Sequence, residues 1–354
     1  MADGLNVNRP IEDDELDRLV AAADLDELVR LVDTRTSGRD WEGLFRLRER
    51  TRAAVQTGRQ LWPAATLAEH RLALYGEPSW ACRVLDEESG RFAIGPLTEV
   101  VAQNHAWIDL APHLPHGPRR SFVAYERALR GDVIGDEVDE VLDIPVPPQD
   151  WEPSYPMAEY NDFGVECPSP LDTARLEWHD IDDESDFEPI DDPWVDRALR
   201  SLVEPWTSSS NGRAESVVVA GSASDALHAL GIRRGRLAAI DPGLAMAWLA
   251  WCGASGGAHG RRRGAATGRF EAWWMIAAIG GLTDDWDEFR ECGELADEIG
   301  SVLVNTQWWC FDDGDRSSAY RLSLVASLAD DDPENESATP LGVALLARDH
   351  PSIV

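Results

Sequence analysis

Apolar residues in the first third of the chain recur every three to four positions. In DDELDRLV and LDELVRLV, Leu16, Leu19 and Val20, then Leu28, Leu31 and Val32, fall on one helical face, with acidic residues leading each turn where the helix dipole favours them. Two short amphipathic helices are expected there. The same period predicts a longer helix in DWEGLFRLRERTRAAVQTGRQLW and another in PAATLAEHRLALYG, where Pro63 and Gly76 mark the two ends. Further helices are expected in PLTEVVAQNHAWIDLA and PRRSFVAYERALRG. The first two helices resemble each other at a period of only twelve residues, too short for a solenoid repeat. Residues 1–133 therefore read as an irregular all-α helical domain.

The period is lost after Gly131. DVIGDEVDEVLDIPVPPQDWEPSYPMAEY mixes Val and Ile with Pro and acids, which favours extended chain and short strands. Residues 134–194 read as an acidic, Pro-containing connector. From Val195 the pattern is mixed. SVVVAGSASDALHALG predicts a strand, a Gly turn and a helix opened by Ser222 or Ser224. DPGLAMAWLAWCG predicts a helix with Asp241 as N-cap, Pro242 in its first position and Gly253 as its stop. Phe270, Trp273, Trp274 and Ala277 lie at i, i+3, i+4 and i+7, which predicts an amphipathic helix whose apolar stripe faces a core. NTQWWCFDDGDRSSAYRLSLVAS predicts two strands across a turn at 312–315, and GVALLARD a third. The expected fold class is α+β: the helical N-terminal domain, then a smaller α+β domain over 195–354 with a short antiparallel sheet.

Composition narrows the function classes. At 354 residues the chain exceeds the ~250–300 at which single cores stop growing, so two domains are expected. All 32 basic side chains are arginine, against 65 carboxylates, for a formal net charge of -33. The absence of lysine fits GC-rich coding, with a salty cytosol or avoidance of lysine modification as alternatives. Such an excess of negative charge argues against broad contact with a nucleic-acid backbone. An acidic nucleic-acid mimic stays open. Fifteen tryptophans supply large anchors that serve cores and protein interfaces alike, with core the expected use. The N-terminus has no basic, apolar, cleavable pattern, and the uncharged stretches 242–259 and 272–283 are unlike a span of ~20 apolar residues. No membrane contact and a cytoplasmic location are expected. Five widely spaced cysteines without a CxxC pair suggest neither disulfides nor zinc.

The strongest acidic run, EWHDIDDESDFEPIDDP, holds nine carboxylates but no loop pattern for calcium, and is expected to be solvated. The most basic stretch, GGAHGRRRGAATGRFEAWW, combines a Gly-rich loop with a following helix, the ingredients of an anion site. Arg261, Arg262, Arg263 and Arg269, with His259 as an acid or base, are the candidate residues for a phosphorylated or carboxylated small molecule. The stretch matches neither GxxxxGK[ST] nor GxGxxG, and a helix precedes it where a dinucleotide site needs a strand. Its structural alternative is close helix packing at Gly264 and Gly268, with the arginines paired to the abundant carboxylates. His113 and His116 lack a third metal ligand, Ser222 and Ser224 lack the GxSxG pattern, and His228 has no assigned nucleophile. No catalytic residue, metal or cofactor is assigned.

GRRRGAATGRFEAWW and FAIGPLTEVVAQNHAW together resemble an uncharacterised family of large, Arg-rich, Lys-poor actinobacterial proteins. That resemblance implies a bacterial cytosolic protein and no particular activity. The functional expectation is a non-enzymatic binding or scaffold protein with an unknown protein partner. The alternative is an anionic small-molecule binder or enzyme using the arginine stretch.

Overall fold

Aspartates open two of the N-terminal helices. Asp24 accepts a hydrogen bond from the Glu27 N–H at 3.2 Å and Asp40 from that of Gly43 at 3.0 Å, each satisfying a donor the helix itself leaves unpaired. The computed structural model describes residues 13–86, 93–135, 138–182, 185–315, 317–328 and 340–351. Contacts divide the chain into two compact units: Met1–Arg127 with Gly131–Asp139 and Glu159–Glu166, and Ala128–Arg130 with Glu140–Ala158 and Cys167–Val354.

In the first unit the helices are α1 (Asp13–Ala22), α2 (Leu25–Ser37), α3 (Trp41–Gln56), α4 (Trp62–Tyr75), α5 (Pro78–Ala81), α6 (Leu97–Asn104), α7 (Trp107–Leu110) and α8 (Pro118–Leu129), whose last residues pass into the second unit. Of the predicted stripes Leu16, Leu28, Leu31 and Val32 are buried and Leu19 and Val20 half-buried; Leu44, Leu47, Leu72 and Val100 are buried as well. A two-stranded antiparallel hairpin, β1 (Glu159–Tyr160) and β2 (Val165–Glu166), joins this unit, with the Tyr160 hydroxyl donating to Glu99 at 2.5 Å.

The second unit holds β3 (His179–Asp180), β4 (Glu188–Ile190), α9 (Pro193–Leu202), α10 (Glu204–Ser208), β5 (Arg213–Ala220), α11 (Ala223–Ala229), β6 (Arg236–Ile240), α12 (Pro242–Ala254), α13 (Ala265–Ile279), α14 (Trp286–Cys292), α15 (Leu295–Asn305), β7 (Gln307–Asp312), β8 (Tyr320–Leu328) and β9 (Leu341–Asp349). The strands form one antiparallel sheet in the order β3-β6-β7-β8-β9-β5-β4. The protein is thus α+β. Among the described residues the sheet has seven strands; β3, β4 and β6 carry no clear alternating signature in the sequence. On one face Val219, Val325, Ala344 and Leu346 pack on Ala223, Ala226 and Leu227 of α11. Because side chains alternate along a strand, Leu324 and Leu345 turn to the opposite face, and α12 packs on β7 and β8. Both faces being covered, β8 and β9 read as nearly continuous apolar runs.

The acidic stretch 177–193 supplies both edges of this sheet, β3 on one side and β4 on the other; Asp183 and Glu184 lie outside the described residues. Short charged edges discourage pairing with another chain's strands, which gives the charge run a physical use.

Helix α13 departs from the amphipathic expectation, being buried on nearly every side because its charged residues Arg269 and Glu271 are themselves buried with partners. Gly268, on α13, is one of the two small positions the sequence marks, and it lies against α12, where an added Cβ would stand 2.8 Å from the Ala254 Cβ. Gly264 instead forms the N-cap at φ +96°, a conformation that favours glycine. Gly268→Ala is expected to destabilise the protein by ~1–3 kcal/mol through overpacking, measured by urea denaturation.

Candidate functional site

The arginine stretch is tied into the second unit. Arg263 donates to the carbonyls of Gly253 at 2.8 Å, Ser201 at 3.1 Å and Leu202 at 2.6 Å, and to Glu271 at 3.0 Å. Burial pushes the Glu271 carboxyl above its ordinary range, and the Arg263 guanidinium opposes that shift. Arg269 is fully buried, with a two-pronged ion pair to Glu152 at 2.5 and 2.7 Å and bonds to the carbonyls of Pro145 and Pro147. These two side chains therefore hold segments 145–152 and 201–202 in place. Arg261 and His259 are exposed, and Arg262 is half-buried.

The Gly-rich loop does hold an anion, but an internal one. Asp349, fully buried at the end of β9, accepts from the Ala258 N–H at 2.7 Å, the His350 N–H at 2.9 Å and the Ser210 hydroxyl at 2.7 Å. Gly257 runs so close to this carboxylate that a Cβ there would strike it.

A cavity of about 360 Å³ opens elsewhere in the same unit, and the sheet itself creates it. Strands β7 and β8 pair only as far as Cys310↔Leu324. Beyond that point β7 stays with β6 through Asp312↔Arg236, while β8 stays with β9 through Tyr320↔Asp349. The two strands part, and the cavity occupies the gap. Its aromatic walls are Trp178, Trp248, Trp251 and Phe311; none of Arg261, Arg262, Arg263, Arg269 and His259 lines it. Trp251 is fixed by stacking on Tyr320, with ring centroids 5.8 Å apart, and by donating to the Cys167 carbonyl at 2.9 Å.

The polar groups of the wall are paired. Arg236 donates to Asp312 across the strands at 2.6 Å, and its guanidinium lies over the Trp178 ring, 5.1 Å from the centroid. Arg321 donates to Asp313 at 2.7 Å and to the Ser323 hydroxyl at 3.2 Å, while Asp315 accepts from Arg348 at 2.6 Å. Burial pushes the Cys310 thiol up to about 12, so it stays protonated at neutral pH and is a poor nucleophile. Two donors of the wall have no acceptor among the described residues: the indole N–H of Trp248, a residue 2% exposed, and the Ser318 hydroxyl. The sequence pattern foretells β7 and β8 but not the gap, because only cross-strand register places Arg236 opposite Asp312.

A second cavity, about 580 Å³, lies in the first unit around Asp33, Arg71, Tyr75, His105 and Asp162. Arg71 is held there between Asp33 and Asp162, which also accepts from the Tyr75 hydroxyl at 2.6 Å. Burial lowers the basicity of His105. Arg71 Nε and His105 Nε2 in this second cavity also have no hydrogen-bond partner among the described residues; the gap in the sheet is the stronger candidate because four aromatic faces wall it.

The remaining sequence candidates stay apart from it. Ser222 caps α11, exchanging hydrogen bonds with Asp225 at 2.8 and 3.2 Å. His113 and His116 are exposed, and no group of three metal-binding side chains occurs among the described residues. The cysteines are free, and no helix of the described residues is long and apolar enough to cross a membrane. Compared with known proteins, residues 26–332 match the model of a family of unknown function, DUF6183. No curated protein and no solved structure matches the chain.

Proposed function

Because the chain belongs to DUF6183, a family of unknown function, its role has to be argued from geometry, and we propose that it is a binding protein whose ligand site is the gap between β7 and β8. The observation that carries this reading is the parting of the strands after Cys310, which opens a cavity walled by four aromatic residues inside an otherwise paired sheet. Binding sites have this make-up, a mostly apolar concavity with a few fixed polar groups. Binding rather than nucleophilic chemistry is favoured by the protonated Cys310 thiol and by carboxylates engaged with arginines. The arginine stretch is the weaker site, since Arg263 and Arg269 spend their hydrogen bonds on the protein.

A thermal-shift screen of small metabolites tests the proposal on three proteins: the parent, Ala319→Trp, which fills the cavity from an exposed wall position, and Arg261→Ala/Arg262→Ala/His259→Ala. A compound at 100 times its dissociation constant should stabilise the parent by ~2.7 kcal/mol. The expected result is a shift that Ala319→Trp abolishes and the triple variant keeps. The opposite pattern would return the site to the arginine stretch.

A further inference from the structure

We infer that the ligand of the sheet gap is an uncharged, flat nitrogen heterocycle of nucleobase type, free or as its nucleoside, bound without help from a phosphate; this rests on the reading of the gap as a ligand site. Charge comes first. The wall's two arginines, Arg236 and Arg321, are matched by its two aspartates, Asp312 and Asp315, and each of the four is engaged in an ion pair. No surplus of either sign is left for a charged guest, and an ion moved into such a site would lose hydration without gaining a counter-charge.

Shape and surface come second. The cavity is of the size that holds one small molecule, and the large apolar groups of its wall are three tryptophan rings and a phenylalanine ring, with Leu171 and Ala319 beside them. The Arg236 guanidinium already stacks over Trp178, so the wall is built from flat groups, against which a flat π-system packs with the largest contact.

Hydrogen bonding comes third and sets the class. Arg236 and Asp312 lie side by side across the strands, presenting donors next to acceptors. That arrangement complements the edge of an amide-like heterocycle, on which an N–H neighbours a carbonyl or ring nitrogen. The Trp248 indole N–H and the Ser318 hydroxyl, buried parts of two wall residues, have no acceptor among the described residues, and a small shift of these side chains would bring them to a ring nitrogen or carbonyl oxygen of the guest. An aliphatic guest would leave both donors unsatisfied.

Isothermal titration with adenosine, guanosine, cytidine and uridine, their 5′-monophosphates, and methyl glucoside and galactoside tests the inference on the parent, Trp248→Phe and Ala319→Trp. At least one nucleoside is expected to bind the parent, with affinity changed less than threefold by the 5′-phosphate, weakened about tenfold in Trp248→Phe and lost in Ala319→Trp. Far-ultraviolet circular dichroism confirms that both variants are folded. If only a glycoside or a nucleotide binds, in a manner Ala319→Trp blocks, the ligand class is wrong and the gap remains a site. Binding of a nucleoside that Ala319→Trp leaves intact would overturn both, and no binding by any nucleoside would overturn the class.

Discussion

Replacing Arg269 with alanine is expected to lower the unfolding free energy by about 3–5 kcal/mol, the cost of breaking a buried ion pair from one side. The side chains of Arg269 and Glu152 are both completely buried, and their charges compensate each other in a medium that solvates neither. Removing the guanidinium strands the Glu152 carboxylate, which among the described residues then keeps the hydroxyl of Tyr155 and the Gln149 N–H to solvate it. It also takes the Arg269 donor from the carbonyls of Pro145 and Val146, while the Pro147 carbonyl keeps the bond from the Gln149 side chain. Removing both charges together avoids the stranded ion, so Arg269→Met/Glu152→Met should recover most of the loss. Urea denaturation followed by tryptophan fluorescence checks both values. A cost for Arg269→Ala below about 1 kcal/mol would mean that this ion pair does not hold the segment 145–152.

Asp349→Ala is expected to cost about 3 kcal/mol for a related reason. Three donors converge on this carboxylate, two of them backbone N–H groups that have no other acceptor among the described residues. Each buried donor left unsatisfied costs ~1–3 kcal/mol. The loop 255–260 should also loosen, because the Ala258 N–H is its tie to β9. Amide hydrogen exchange in that loop is expected to accelerate in Asp349→Ala, more than in the rest of the sheet. Uniform acceleration across the unit would instead indicate global destabilisation without a specific tether.

These two sites show why the arginine stretch misleads a reader of the sequence. Gly-rich loop, clustered arginines and a following helix are the ingredients of an anion site, and the loop does hold a carboxylate with its backbone. That carboxylate belongs to Asp349, about ninety residues further along the chain, and no local pattern announces the pairing. The same holds for Arg269, whose partner lies 117 residues away.

Local signals fare better. Ser222 and Asp241, two of the caps the sequence marks, do cap helices with their side chains, and the helix predicted to start at Pro242 runs Pro242–Ala254. Capping depends on a few neighbouring residues, which is why it is legible. Strands β5, β7, β8 and β9 are legible from their branched and aromatic runs. The edge strands β3 and β4 are not, since two or three residues of acidic chain carry no alternation. The candidate site lies beyond local pattern altogether. It exists because β7 follows β6 while β8 follows β9, a matter of register between strands far apart in sequence.

The most direct test of the gap as a ligand site is the two-dimensional 15N–1H spectrum of the tryptophan indoles, recorded with and without the compound that most stabilises the protein. The resonances of Trp178, Trp248 and Trp251 are expected to shift, with the backbone amides of residues 256–263 unmoved. Shifts confined to residues 256–263, with those three indoles unchanged, would contradict a site in the gap and place the ligand on the arginine stretch.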